Sequence, residues 1–154
     1  MMNLERYNRQ IILPDFGISS QEKLLNSSVL VVGSGGLGCP ALQILVSSGI
    51  GKIGIVDFDV VEIQNLHRQF LFDEKDIGFP KVIVAEKHLK NRNSETEIEI
   101  FNEKITTKNV IHLIENYEML LCLEFRYLIQ ILLIPIQYQK NYLYSTSLLL
   151  QFLL

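Results

Sequence analysis

The first continuous apolar run, Ser28-Val-Leu-Val-Val32, is almost wholly β-branched and aliphatic and stops at a cluster of glycines. A strand with no polar alternation has both faces covered, the mark of a parallel sheet layered between helices. Pro40 to Ser48 reads as a helix and Lys52-Ile-Gly-Ile-Val56 as a second strand. The three together form a βαβ unit, whose crossover is right-handed by rule. Ahead of it, Ser19 and Glu22 have capping-box spacing before Lys23, Leu24 and Leu25, predicting a short lead-in helix.

Farther on, Pro80 predicts the first residue of a helix that buries Val82, Ala85 and Leu89, turns Glu86, Lys87 and Lys90 to water and ends at Asn91 or Asn93. Glu97 to Phe101 alternates through Ile98 and Ile100, as a half-buried third strand does. Thr107 to Glu115 predicts an amphipathic helix through Val110, Leu113 and Ile114, and Tyr117 to Leu123 a fourth strand. The expected class is therefore α/β, a Rossmann-like parallel sheet with flanking helices. After Glu118 the only charges are Glu124, Arg126 and Lys140. The tail's longest apolar stretch, Leu128 to Ile136, is broken by Gln130 and Pro135 and falls short of the roughly 20 residues of a membrane span. Three parts are expected: an arm and lead-in helix over residues 1–27, the sheet domain over 28–121, and an atypical, disordered apolar tail over 122–154.

A chain of 154 residues with 48% hydrophobic content holds one domain with a proper core. The net charge of -3 and the lack of a basic run argue against nucleic acid as a partner. Glu5, Arg6 and Arg9 stand where a secretory signal needs an apolar core, so the cytoplasm is expected, with no membrane attachment. Cys39 and Cys122 form no C-x-x-C pair, which removes a disulfide framework and a cysteine zinc site. His67, His88 and His112 share no metal-binding spacing, so any metal has to arrive with a ligand.

Gly33-Ser-Gly-Gly-Leu-Gly38 is a G-x-G-x-x-G sequence between strand and helix, with Gly33, Gly35 and Gly38 at the motif positions and Gly36 between them. Such a loop lets backbone approach phosphates while the helix N-terminus offers unpaired N–H donors. Asp57 ends the second strand about twenty residues on, where an acid accepts hydrogen bonds from ribose hydroxyls. Taken alone, the glycines also fit a tight turn that packs helix on strand, and Asp57 a solvated strand end. Together they point to a mononucleotide or dinucleotide.

Asp57-Phe-Asp-Val-Val-Glu-Ile-Gln-Asn-Leu-His-Arg-Gln69 resembles the D-x-D-x-V-x-x-x-N-L-x-R-Q signature of the ThiF/MoeB/HesA adenylyltransferases, which activate the C-termini of ubiquitin-like sulfur carriers with ATP. Arg6-Tyr-Asn-Arg-Gln-Ile-Ile-Leu-Pro14 resembles the family's opening segment and Gly78-Phe-Pro-Lys81 a downstream one, so the likeness runs from Arg6 to about Leu121. It implies the N-terminal half of such a domain, ATP with Mg2+, and a homodimer acting on a sulfur carrier with a Gly-Gly C-terminus, as in molybdopterin or thiamine biosynthesis. Asn65, Arg68 and Lys81 would hold phosphates and Arg9 would reach into the neighbouring site, making Arg9, Arg68 and Lys81 the catalytic set. Asp59, Leu66, His67 and Gln69 complete the nucleotide-binding segment.

Transferring an adenylyl group brings several negative charges together, which fixed cations must offset. The plainer readings are a solvated Arg68, a surface Lys81, and an Arg9 paired with Glu5 at (i, i+4). Cys39 at a helix start is either an acidified thiol or, more simply, a small packed residue. Where the family has D-C-x-D-N, this chain continues Cys122-Leu-Glu-Phe-Arg-Tyr-Leu128, so the magnesium ligand is missing and Glu124 is the nearest acid. The family's downstream half, with its C-x-x-C zinc pairs, has no counterpart. A truncated protein that binds nucleotide without transferring it is the alternative, and a dinucleotide-dependent oxidoreductase a more distant one.

Overall fold

The computed structural model describes residues 4–124 and 142–144. Five parallel strands form one sheet in the order β3-β2-β1-β4-β5: β1 (Ser28–Val32), β2 (Lys52–Val56), β3 (Glu97–Phe101), β4 (Met119–Cys122) and β5 (Tyr142–Tyr144). The first three strands have the bounds their apolar patterns predict, and β4 lies within its expected range. Because side chains alternate across a strand, β1 sends Val29 and Val31 into one apolar layer and Leu30 and Val32 into the other. A run apolar at every position is the consequence of having two cores to fill, each buried Val or Leu contributing about 1.5–3 kcal/mol.

The first layer is covered by α3 (Gly38–Ser48) and α4 (Lys81–Arg92), the second by α5 (Val110–Ile114). α3 begins two residues before the expected Pro40, whose missing N–H costs nothing within a first helical turn. α4 buries Val82, Ala85 and Leu89 as expected, but Pro80 is its N-cap rather than its first residue; the Pro80 carbonyl accepts from Ile83 and Val84 at 3.2 and 3.3 Å. α5 is shorter than predicted, because Asn109 Oδ1 accepts from the Thr106 N–H (2.7 Å) and hydroxyl (2.9 Å) and holds that stretch as a turn.

The N-terminal arm is α1 (Leu4–Ile11) followed by α2 (Gly17–Asn26). The predicted Ser19–Glu22 capping box does not form: both lie inside α2, which starts at Gly17 after Asp15 and Gly17 take left-handed angles of φ 64° and 65°. Two left-handed residues break the chain there and set the helix start ahead of any side-chain cap. α1 docks through one face. Tyr7 is buried and its hydroxyl accepts from Asn93 Nδ2 at 3.1 Å, while Gln10 Nε2 donates to the Ser48 carbonyl at 2.9 Å and to Gln21 Oε1. Gly49, the left-handed C-cap of α3 (φ 87°), has no room for a side chain, since a Cβ would stand 2.7 Å from the Tyr7 ring.

Of the tail, Cys122 ends β4 and β5 pairs with β4 through Leu120–Tyr142 to Cys122–Tyr144; the expected disorder of residues 125–141 and 145–154 lies outside the described ones. Among the described residues no helix is long and apolar enough to cross a membrane. Asn93 joins arm, α3 and α4 by donating to Tyr7, the Val46 carbonyl (3.1 Å) and Thr96 Oγ1 (3.3 Å). Asn93→Ala is expected to lower stability by about 2 kcal/mol in urea denaturation, and by more than Arg6→Ala, whose bond to the Arg92 carbonyl is exposed. Equal losses from the two variants would show that the arm is not held through Asn93.

Candidate functional site

β1 and β2 run in register from Ser28–Lys52 to Val32–Val56, so their carboxyl ends leave the sheet together. The Gly33 N–H donates to the Val56 carbonyl at 2.8 Å, which sets the glycine loop beside Asp57. β1 also lies between β2 and β4, where the chain reverses its direction across the sheet. That switch point opens a crevice at the strand ends. Within the loop Gly33 is left-handed (φ 91°), and a Cβ on Gly38 would stand 2.0 Å from the Gly33 carbonyl oxygen. Helix α3 can therefore sit this tightly on β1 only with hydrogen at Gly38.

Asp57 is 5% exposed, which rules out a solvated strand end. Its Oδ2 accepts from both the N–H and the hydroxyl of Ser34, each at 2.8 Å, and its Oδ1 accepts from the Asp59 N–H at 2.9 Å. Three of about four acceptor positions on the carboxylate are thus used within the protein. Sequence reasoning missed Ser34, whose only signal was being the hydroxyl residue between the first two glycines of the motif. Cys39 is packed rather than acidified: its thiol donates to the Ser34 carbonyl at 3.1 Å, and burial pushes it up to about 11.

The segment after Asp57 folds back over the loop. Asn65 closes a 3-10 turn, Ile63–Asn65, by accepting the Glu62 N–H at 3.3 Å on its side-chain oxygen, and its carbonyl takes the N–H groups of Arg68 and Gln69. Leu66 packs against the apolar layer under α3 and α4, so it anchors the segment rather than presenting a polar contact. That anchoring lays the Arg68 side chain on Gly36, its Cδ 3.6 Å from where a Cβ would be, while its Nη1 donates to the Gln64 carbonyl at 2.9 Å. His67 is exposed, its Nε2 3.4 Å from Arg68 Nη1. Gln69 is buried under Gly35, and its Oε1 has no hydrogen-bond partner among the described residues.

Lys81 is not a surface charge. It is 4% exposed, its Nζ lies 3.3 Å from Asp59 Oδ2, and its N–H donates to the Asp59 carbonyl at 2.9 Å. A buried ammonium is tolerated because the carboxylate compensates it. Asp59, Asn65 and Lys81, with Phe58, Val60 and Glu62, line a cavity of about 340 Å³. Arg9 stands exposed on α1, outside the set these contacts draw together. His88 Nε2 lies 3.5 Å from Asp76 Oδ2, which also accepts the Asp73 N–H at 2.8 Å. These three side chains approach closely enough for an ion, a grouping that linear spacing did not reveal. The contacts already present brace the turn before α4.

A parallel sheet with a glycine loop at its switch point and an acid at the neighbouring strand end defines the Rossmann-like class. The chain belongs to the ThiF family, whose model matches residues 7–146 and so extends past Leu121, where the recognised motifs end. It is 45% identical over 116 residues to the sulfur carrier protein adenylyltransferase of Thermus thermophilus, which covers 75% of this chain but 43% of that protein. The chain thus spans under half the length of this relative. Among solved structures, E. coli MccB with ATP is 37% identical with a TM-score of 0.62, covering 66% of this chain and 30% of that one. E. coli tRNA N6-threonylcarbamoyladenosine dehydratase, TcdA, superposes with a TM-score of 0.84 at 22% identity over 92% of this chain and 59% of that one, a likeness of fold.

The raised Cys39 value gives a pH dependence. The neutral buried thiol contributes stability in full below the unfolded value of 9.0, and this is lost as pH rises through about 11. Cys39 is therefore expected to resist a thiol reagent at pH 8 until the chain unfolds; labelling of the folded protein at the rate of a free cysteine would contradict its packing. Gly38→Ala is expected to lower stability by about 1–3 kcal/mol, read by urea denaturation, and to displace the loop, read by amide NMR shifts. An undisturbed loop in that variant would show that α3 does not depend on this close approach.

Proposed function

We propose that this chain supplies the ATP-binding part of an adenylyltransferase that activates the C-terminal glycine of a ubiquitin-like sulfur-carrier protein. The observation that carries the reading is the gathering of Arg68 over Gly36 and of Lys81 and Asn65 around one cavity, beside a loop held by Asp57. In the reaction, a carboxylate oxygen of the carrier attacks the α-phosphorus of ATP and the bond to the β-phosphate breaks. Pyrophosphate leaves, and the carrier keeps the adenylyl group. Arg68 and Lys81 offset the developing charge, the Asn65 amide donates to phosphate oxygens, and the backbone from Gly33 to Gly38 approaches the phosphates. The acceptor position left on Asp57 suits a ribose hydroxyl.

Gln69 and His67 border the same phosphates, and Arg9, on the open face of α1, reaches a second copy's site in a homodimer. The work is assigned to the cytoplasm. Support for the carrier as substrate comes from the activity for which the Thermus relative is named, and support for ATP from the MccB complex. Magnesium, which neutralises and orients phosphates when bound, arrives with ATP. The residues around the loop fit it only in part, because Asp57 is occupied by three donors and Asp59 faces Lys81. The acid at the end of β4, Glu124, stands beside Gly33. A second reading, nucleotide binding without transfer, is favoured by one observation: β4 runs out into Cys122-Leu-Glu124 in place of the acid-acid-amide segment.

ATP:pyrophosphate exchange with a carrier ending in Gly-Gly separates the two, because exchange requires reversible adenylyl transfer. Exchange is expected, with Arg68→Ala and Lys81→Ala slower by about 10²–10³-fold. ATP binding without exchange would leave the second reading standing. In calorimetry, Asp57→Ala is expected to weaken adenosine, AMP and ATP alike, and Arg68→Ala to weaken ATP most, each by about 1.5–3 kcal/mol in folded protein. Tighter binding of NAD than of ATP would move the chain to the oxidoreductases.

A further inference from the structure

In the stretch that leads from Gln69 to α4, the 3-10 turn Glu74–Asp76 ends on a carboxylate that is only 5% exposed. A buried carboxylate is costly to retain unless a cation or several donors compensate it. Asp57 meets that need with three donors. Asp76 Oδ2 has the Asp73 N–H at 2.8 Å and, as its one side-chain pairing among the described residues, His88 Nε2 at 3.5 Å. An imidazole of ordinary basicity is largely neutral above pH 7, so it offers a nitrogen lone pair more readily than a positive charge. Lys75 pairs with Asp73 instead, its Nζ 3.0 Å from Asp73 Oδ2 with both side chains mostly in solvent. Such a surface pair is worth about 0–1 kcal/mol, so it gives way easily to a stronger cation. Asp76 is thus a buried negative charge with little positive charge set against it.

The surrounding geometry suits a metal ion. One ligand atom from each of Asp73, Asp76 and His88 lies within 4.8 Å of the other two. Ligands bound tetrahedrally at about 2.0–2.2 Å from zinc stand about 3.3–3.6 Å apart, the separation that His88 and Asp76 already have. Asp73 lies on the exposed side and closes the third position by exchanging Lys75 for the ion. An imidazole nitrogen beside two carboxylates selects zinc and its neighbours over magnesium and calcium, which take oxygen ligands. We propose that Asp73, Asp76 and His88 bind a divalent transition metal of the zinc kind, with water in the fourth position. The ion ties the 3-10 turn to α4 about two turns beyond Lys81, and so braces the helix whose first residue is that lysine. Its role is structural and does not depend on which nucleotide the glycine loop takes.

The test is titration of Zn2+ and Co2+ into the metal-free full chain without nucleotide, followed by calorimetry and by the visible absorption of cobalt, after circular dichroism has confirmed folding. The parent is expected to bind one ion, with a tetrahedral cobalt band that zinc displaces. His88→Gln and Asp73→Asn, the second of which keeps an acceptor at the turn's cap, are each expected to weaken binding by at least about tenfold, no less than a lost second-shell partner costs. His112→Ala, an exposed histidine outside the group, is expected to bind as the parent does. Zinc is also expected to raise the Tm of the parent and not that of His88→Gln, because an ion held only by the folded chain stabilises it. No saturable one-to-one binding by the parent, or the parent's affinity kept by either folded variant, overturns the site. Tighter binding of Mg2+ than of Zn2+ overturns the choice of metal.

Discussion

The carboxylate of Asp57 is the point on which the crevice depends. It closes one end of β2, accepts the N–H and hydroxyl of Ser34 from the glycine loop, and accepts the N–H of Asp59 from the segment that follows. Hydrogen bonds to a charged group are worth about 1.5–3 kcal/mol each, and a carboxylate buried without them would be far too costly to retain. One side chain thus sets the loop's distance from β2 and the direction in which the chain leaves it. The same acid then has about one acceptor position to spare.

From that exit the chain is led past the loop by packing as much as by polar contacts. Leu66 is drawn into the apolar layer, and its neighbours are displayed in consequence: Arg68 across Gly36, Gln69 beneath Gly35. The return to α4 is held by the antiparallel bridge between Val60 and Pro80 and by the burial of Lys81 against Asp59. A cation so placed cannot turn to solvent as a surface lysine does. Its charge is directed into the cavity side of the fold, with most of its flexibility already lost.

The arm and the far edge of the sheet make comparable connections from opposite sides. Arg6, Tyr7 and Gln10 occupy the docked face of α1, which fixes its rotation and leaves Arg9 on the open face. At the other side, β4 brings Glu124 against Gly33 through its register with β1. An opening motif that resembles a functional segment is therefore largely a docking device, with one residue left over for other work.

What the sequence determined by itself were the elements whose burial is local and periodic. The bounds of β1, β2 and β3 and the buried face of α4 were legible because a strand or helix announces its covered faces through alternation. The places of the glycine loop and Asp57 were legible because glycines between a strand and a helix, and an acid at the next strand end, mark where the chain leaves the sheet. Helix starts were not: α2 begins where left-handed backbone at Asp15 and Gly17 allows, and α5 where the Asn109 turn releases it. Nor were Ser34, the burial of Gln69 and Lys81, the His88–Asp76 contact or the neighbourhood of Glu124 and Gly33, since each joins chain segments that periodicity does not relate. Those depend on strand order and register, and tertiary structure alone decided them, because a hydrogen bond or a close approach between distant residues leaves no mark on either one's immediate sequence.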